Sequence, residues 1–119
     1  MSTARFEATI ATKVSVVRSE RETRGHSLEQ FDGEGAPRRI SLESPQLVIG
    51  RAENADIRLA SQKASRHHAT LNLRGTDFMI RDNDSHNGIF LNGVKIHSAI
   101  LRDGDIVQIA DCAFVFREG

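Results

Sequence analysis

The chain has no tryptophan and no tyrosine, one cysteine and two prolines in 119 residues. Without Trp and Tyr it lacks the side chains that stack best on nucleobases, and only six phenylalanines remain for that purpose. An excess of one charge is also missing, because sixteen Lys and Arg balance sixteen Asp and Glu. Proteins that bind nucleic acid or anionic membrane surfaces usually carry a basic excess, so neither partner is expected. The lone Cys112 rules out an intrachain disulfide framework and suits a reducing compartment. No apolar run approaches the length of a membrane span, and the first residues lack the apolar core of a secretory leader. Together these absences predict a soluble cytoplasmic domain, and the length allows one domain with its own core.

What the chain does have is short apolar stretches separated by turn signals. Residues 5–17 alternate, with Phe6, Ala8, Ile10, Val14 and Val16 apolar and polar residues between them, interrupted by Thr12. That period of two predicts an extended segment. From Arg18 to Gly35 charges of both signs, Gly and few apolar residues predict a linker that buries little surface. Beyond Pro37 the pattern predicts strands at 38–42, 47–50, 57–59, 69–73, 78–82, 89–91, 95–97, 105–109 and 113–117. In 78–82, Phe78 and Ile80 share one face while Asp77, Met79 and Arg81 share the other. Residues 105–109 alternate around Ile106 and the neighbours of Gln108. Many short strands with one buried face predict an all-β, antiparallel sandwich, preceded by an N-terminal extension over 1–36 and occupying 37–119.

Polar residues cluster at particular strand ends. Gly50-Arg51 follows the apolar run Leu47-Val48-Ile49. Ser65-Arg66-His67-His68 precedes the strand at 69–73, and residues 57–76 hold four basic residues and no acidic one. In a neutral chain that asymmetry favours an anion. His67 and His68 are adjacent and point to opposite faces of an extended chain, so they cannot chelate one metal ion together. No other His, Cys and carboxylate spacing supplies a zinc site, and neither a metal nor a cofactor is expected. His68 at a strand start reads as a histidine that hydrogen-bonds backbone across a loop. Two Asn-Gly steps, Asn87-Gly88 and Asn92-Gly93, bracket the short run Ile89-Phe90-Leu91. Both residue types tolerate positive φ, so each step predicts a tight turn. The first turn also carries Ser85, His86 and Asn87, a density of polar groups that fits a recognition loop.

A Ser-His-Asp hydrolase could be drawn from Ser85, His86 and Asp82, but no nucleophile-elbow glycine pattern surrounds Ser65 or Ser85. The chain also lacks both glycine-rich nucleotide-binding motifs. The loops offer instead a guanidinium fork, hydroxyls and a carboxamide, a donor set suited to a phosphate on a peptide.

This pattern resembles the forkhead-associated (FHA) domain. The resemblance rests on Gly50-Arg51, then Ser65-Arg66-His67-His68, then Asp82-Asn83-Asp84-Ser85-His86-Asn87-Gly88, then Asn92-Gly93, in matching order and spacing. It continues through Leu101-x-Asp103-Gly104-Asp105 and covers roughly Pro37 to Arg117. The chain has His86 and Ile89 where Thr is common in the family. The resemblance implies an FHA/SMAD-like β-sandwich whose loops bind phosphothreonine peptides. It implies that Arg51 and Ser65 contact the phosphate, and that Arg66 adds charge or contacts the peptide beside it. His86 would contribute through its backbone N–H and through its ring, and Asn87 would bond the peptide main chain. Gly50, His68, Ser85, Gly88, Asn92 and Gly93 would shape and brace the loops.

The expected activity is phosphothreonine-dependent protein binding in signalling, with no catalysis. Two alternatives belong to other classes: a phospho-independent assembly module on the same fold, and a small hydrolase using Ser85 and His86. The expected partner is a phosphothreonine protein or peptide. The chain's own Thr3, Thr9, Thr12 or Thr23 could supply one in cis or in trans. Since such domains commonly sit beside others, the chain is also expected to be part of something longer.

Overall fold

A computed structural model describes residues 25–32 and 37–119. The period-two stretches form eleven strands: β1 Ser27–Gln30, β2 Arg38–Ser41, β3 Gln46–Gly50, β4 Ile57–Arg58, β5 Ala69–Arg74, β6 Asp77–Asp82, β7 Ile89–Leu91, β8 Val94–Ile96, β9 Ser98–Ile100, β10 Ile106–Ile109 and β11 Cys112–Arg117. They pair into a six-stranded sheet, β2-β1-β11-β10-β7-β8, and a five-stranded sheet, β4-β3-β5-β6-β9. Every pairing is antiparallel except β3 with β4, which runs parallel with Ile49 opposite Ile57 and Gly50 opposite Arg58. The expected all-β sandwich is the observed architecture.

Alternation decides which side chains enter the core. Phe78 and Ile80 of β6 point inward with Phe114 and Phe116 of β11, and Ile49, Leu71 and Ile89 join them. Burying each such side chain contributes roughly 1.5–3 kcal/mol toward holding the two faces together. In β10 the inward residues are Val107 and Ile109, both 0% exposed, while Ile106 is 46% exposed. The register sets this, because Ile106 lies opposite Val115 on the outer face and Val107 opposite Phe114 on the core face.

Two strands depart from the sequence reading. The linker expected over 18–35 contains β1, which is inserted between β2 and β11 with Leu28 opposite both Ile40 and Phe116. Leu28 is 1% exposed, and the preceding His26 ring packs 5.3 Å from the Phe78 ring and 5.7 Å from that of Phe116. The sandwich therefore begins before the boundary expected at 36/37. Ser27-Leu28-Glu29-Gln30 has one large apolar residue and becomes a strand because two neighbours pair with it. The second departure is the strand expected at 95–97, which splits at His97. β8 stays in the first sheet, and β9 crosses to pair with β6 in the second, Ala99 opposite Ile80. No Gly or Pro marks that crossing; the His97 carbonyl accepts the Asp82 N–H at 2.8 Å where the chain changes sheets. The extended segment expected at 5–17 lies outside the described residues.

Candidate functional site

The site starts at the end of β3, where the chain must run against the 64–67 loop. A Cβ at position 50 would sit 2.0 Å from the Arg66 carbonyl oxygen, so only glycine fits. That approach lets the Arg51 N–H donate to the Ser65 carbonyl and the Ala52 N–H to the Arg66 carbonyl, both at 3.0 Å. The Arg51 side chain continues the contact, its Nε donating to the Ala64 carbonyl at 3.1 Å. Held by Nε, Arg51 keeps both terminal amino groups free of hydrogen bonds among the described residues.

His68, 0% exposed, joins this loop to the next one. Its Nδ1 accepts the Ser65 N–H at 3.0 Å, so the ring proton sits on Nε2 and is donated to the Gly88 carbonyl at 2.8 Å. The expectation of a histidine bonding backbone across a loop is met. Two further bonds cross the same gap. The His86 N–H donates to Ser65 Oγ at 3.0 Å, and Asn87 Nδ2 donates to the Lys63 carbonyl at 2.6 Å. Since Ser65 Oγ acts as acceptor toward His86, its own proton remains available to a ligand.

The 82–88 turn is built by its own polar groups. The Ser85 N–H donates to Asp82 Oδ2 at 3.3 Å, and Ser85 Oγ accepts the Gly88 N–H at 2.8 Å. Asp84 and Gly88 take positive φ, 57° and 78°, and close the turn. At the base of the other loop, the Ser61 hydroxyl donates to Asp111 in the β10–β11 turn and accepts the Lys63 N–H at 3.0 Å. That hydroxyl holds the Asp111 carboxyl below its ordinary value, against a smaller opposing effect of desolvation.

The structure thus brings Gly50, Arg51, Ser65, Arg66, His68, Ser85, His86, Asn87 and Gly88 to one end of the sandwich. Asn92 and Gly93 belong elsewhere. They lie at the far end of β7, where Asn92 Oδ1 accepts the Ile106 N–H at 2.9 Å and Nδ2 donates to Asp105 at 3.0 Å. Asn92 therefore braces the β7–β8 hairpin against β10, a correction to its expected role beside the binding loops. The His86 ring is exposed and makes no hydrogen bond among the described residues.

Sequence reasoning missed two contributors. Lys63 holds Asn87 through its carbonyl, which no side-chain pattern signals. Arg58 sits between buried Ile57 and Leu59, and that alternation marks it as outward-facing. Its Nε donates to the Arg51 carbonyl at 3.3 Å. Arg51, Arg58 and Arg66 line a cleft of about 560 Å³ together with Glu53, Asn54 and Gln62. Ser65, His86 and Asn87 are not part of that lining, while Arg51 belongs to it and is bonded to the Ala64 and Ser65 carbonyls of the neighbouring loop.

A serine hydrolase needs an imidazole nitrogen on the nucleophile's hydroxyl. Among the described residues no hydrogen bond joins Ser85 Oγ to a histidine ring; its partner is the Gly88 N–H. Also among the described residues, no cluster of three or more His, Cys, Asp or Glu could hold a metal ion, and no helix is long and apolar enough to cross a membrane.

With this geometry in view, comparison with known proteins is informative. Residues 47–110 match the family model described as FHA domain. The ABC transporter ATP-binding/permease protein Rv1747 of Mycobacterium tuberculosis is 45% identical over 85 residues, covering 70% of this chain and 10% of that protein. The chain spans between 10% and 55% of the length of the curated relatives it matches. Among solved structures, Mycobacterium tuberculosis EmbR in complex with a low affinity phosphopeptide superposes with a TM-score of 0.76 at 30% identity, covering 93% of this chain and 30% of that one. A structure from an analysis of phosphothreonine-dependent FHA domain interactions gives 0.73 at 28% identity, covering 79% of this chain and 96% of that one.

Proposed function

The chain belongs to the FHA domain family, and from that premise we propose that it is a phosphothreonine-dependent protein-binding module of a signalling system, without catalytic activity of its own. One observation carries the reading. Arg51 is anchored through Nε, with its terminal amino groups uncommitted, at the loop whose Ser65 hydroxyl still has a proton to donate. A phosphate at this position receives a guanidinium fork and a hydroxyl bond, and Arg66 adds charge. Asn87 has one amide hydrogen committed to Lys63, which leaves Oδ1 to accept a main-chain N–H of the ligand. Its carboxamide is thereby fixed before the ligand arrives.

Charge-assisted hydrogen bonds contribute roughly 1.5–3 kcal/mol each, and several of them support micromolar affinity, about −8 kcal/mol, after association costs. Threonine is preferred over serine because burying its γ-methyl adds roughly 0.8 kcal/mol. The single buried thiol and the absence of any long apolar helix among the described residues are consistent with a cytoplasmic site of action.

Calorimetric titration with one peptide in phosphothreonine, phosphoserine and unphosphorylated forms tests the reading. Binding of the first, weakened for the second and absent for the third, is expected. Equal binding of all three would favour a phospho-independent assembly module. Thr3, Thr9, Thr12 and Thr23 lie outside the described residues, and one of them, once phosphorylated, would serve as ligand in cis or from another copy. Mass spectrometry of the chain from cells, with titration of a variant lacking residues 1–24, decides that point; an unmodified segment would end it.

A further inference from the structure

The cleft beside Arg51 holds more positive charge than one phosphate position uses. Three guanidiniums line it against the single carboxylate of Glu53. Among the described residues the ion pairs are Arg102–Asp77 and Arg117–Glu29, so Arg51, Arg58 and Arg66 have no carboxylate partner there. Charges left unpaired around a concave, polar space raise the local concentration of anions.

Arg58 is also not a loosely tethered surface charge. It sits on β4, opposite Gly50 in the parallel bridge, and its backbone is fixed by buried residues on either side. Its Nε donates to the Arg51 carbonyl, which aims the guanidinium along the cleft and leaves its terminal amino groups without a hydrogen bond among the described residues. Arg66 reaches the same space from the 64–67 loop, exposed and uncommitted among the described residues. Arg51 thus lines the cleft with two further guanidiniums and is also bonded to the loop that carries Ser65. A peptide phosphate bonded to Arg51 and Ser65 would place its neighbouring residues over that second group of charges.

We propose that Arg58 and Arg66 form a second anion subsite beside the phosphate position, which takes a carboxylate or a second phosphate carried by the ligand next to its phosphothreonine. The proposal rests on the phosphothreonine reading above. A guanidinium pair bonds both anions through the same N–H forks, and a phosphate, with nearly two charges and three acceptor oxygens, would be held more tightly.

The test uses phosphothreonine peptides of one sequence whose flanking residues, on each side in turn, are glutamine, glutamate or phosphoserine. Affinities are measured for the full chain, Arg58→Gln, Arg66→Gln and Arg51→Ala. The full chain is expected to prefer an anionic flank by roughly two- to fivefold, the size of a partly exposed charge pair. Arg58→Gln and Arg66→Gln should each reduce that ratio, and the two arms show whether carboxylate or phosphate is the better occupant. The Arg66 side chain makes no hydrogen bond among the described residues, and its carbonyl bond to the Ala52 N–H is kept in Arg66→Gln, so that variant keeps the test open if Arg58→Gln unfolds. A full chain that binds the phosphothreonine peptide with no flank preference overturns this inference and leaves the phosphothreonine reading intact. A preference that survives both glutamine variants does the same. Failure of the full chain to bind any phosphothreonine peptide overturns both.

Discussion

Gly50→Ala is the substitution whose outcome the structure defines most closely. The added Cβ would lie 2.0 Å from the Arg66 carbonyl oxygen and 2.7 Å from its carbon, both backbone atoms that no rotamer change can move. Restoring ordinary contact at 3.4 Å requires the loop to retreat by about 1.4 Å. That retreat breaks the bonds from the Arg51 and Ala52 N–H groups to the Ser65 and Arg66 carbonyls. Two net hydrogen bonds contribute about 2 kcal/mol, and overpacking adds about 1–3 kcal/mol, so a loss of about 3–5 kcal/mol is expected. Because the same loop carries Ser65 and anchors Arg51, phosphopeptide affinity should fall together with stability. Gly93→Ala is the control: a Cβ there meets nothing within 4 Å, and only its φ of 87° is unfavourable. Chemical denaturation measures the first effect and calorimetric titration the second. A Gly50→Ala variant within 0.5 kcal/mol of the parent, with unchanged phosphopeptide affinity, would refute the argument that this close approach builds the site.

Three further outcomes follow from other parts of the molecule. Leu28→Ala should cost about 2–5 kcal/mol, because Leu28 is packed between Ile40 and Phe116; a change near zero in denaturant unfolding would return β1 to linker status. His68→Ala leaves the Ser65 N–H and the Gly88 carbonyl without their partner, at about 1–3 kcal/mol for each buried group, and should weaken phosphopeptide binding as the two loops separate. The Cys112 thiol is pushed up to about 11, chiefly by burial and further by Asp32 and Asp111. Its folded value is thus raised, so its contribution to stability is complete below the ordinary 9.0 and is lost as the pH rises toward 11. Alkylation with iodoacetamide at pH 8 should accordingly be slow in the folded chain and fast in denaturant; equal rates would contradict the burial.

Much of this was legible because the informative signals were local. Phe78 and Ile80 announce their face through alternation alone, and the turns at Asn87-Gly88 and Asn92-Gly93 announce positive φ. The order of Gly50-Arg51, Ser65-Arg66 and Ser85-His86-Asn87 fixed the family resemblance without any structure. What stayed hidden depends on partners distant in the chain. β1 is a strand because β2 and β11 lie on either side of it, and Ile106 faces outward because its opposite residue is Val115. The two Asn-Gly steps look alike in sequence, yet one shapes the binding loop and the other ties a hairpin to Asp105 and Ile106. Arg58 reads as one of four cations in a basic stretch until the parallel bridge to Gly50 sets it beside Arg51.

The central claim is that an anchored Arg51 makes this chain a reader of phosphothreonine. Titration of a phosphothreonine peptide into the parent and into Arg51→Ala addresses it directly. Loss of the guanidinium removes at least one charge-assisted fork, about 3 kcal/mol, so affinity should fall by more than about a hundredfold. An Arg51→Ala variant that stays folded and binds the peptide as well as the parent does would contradict the account.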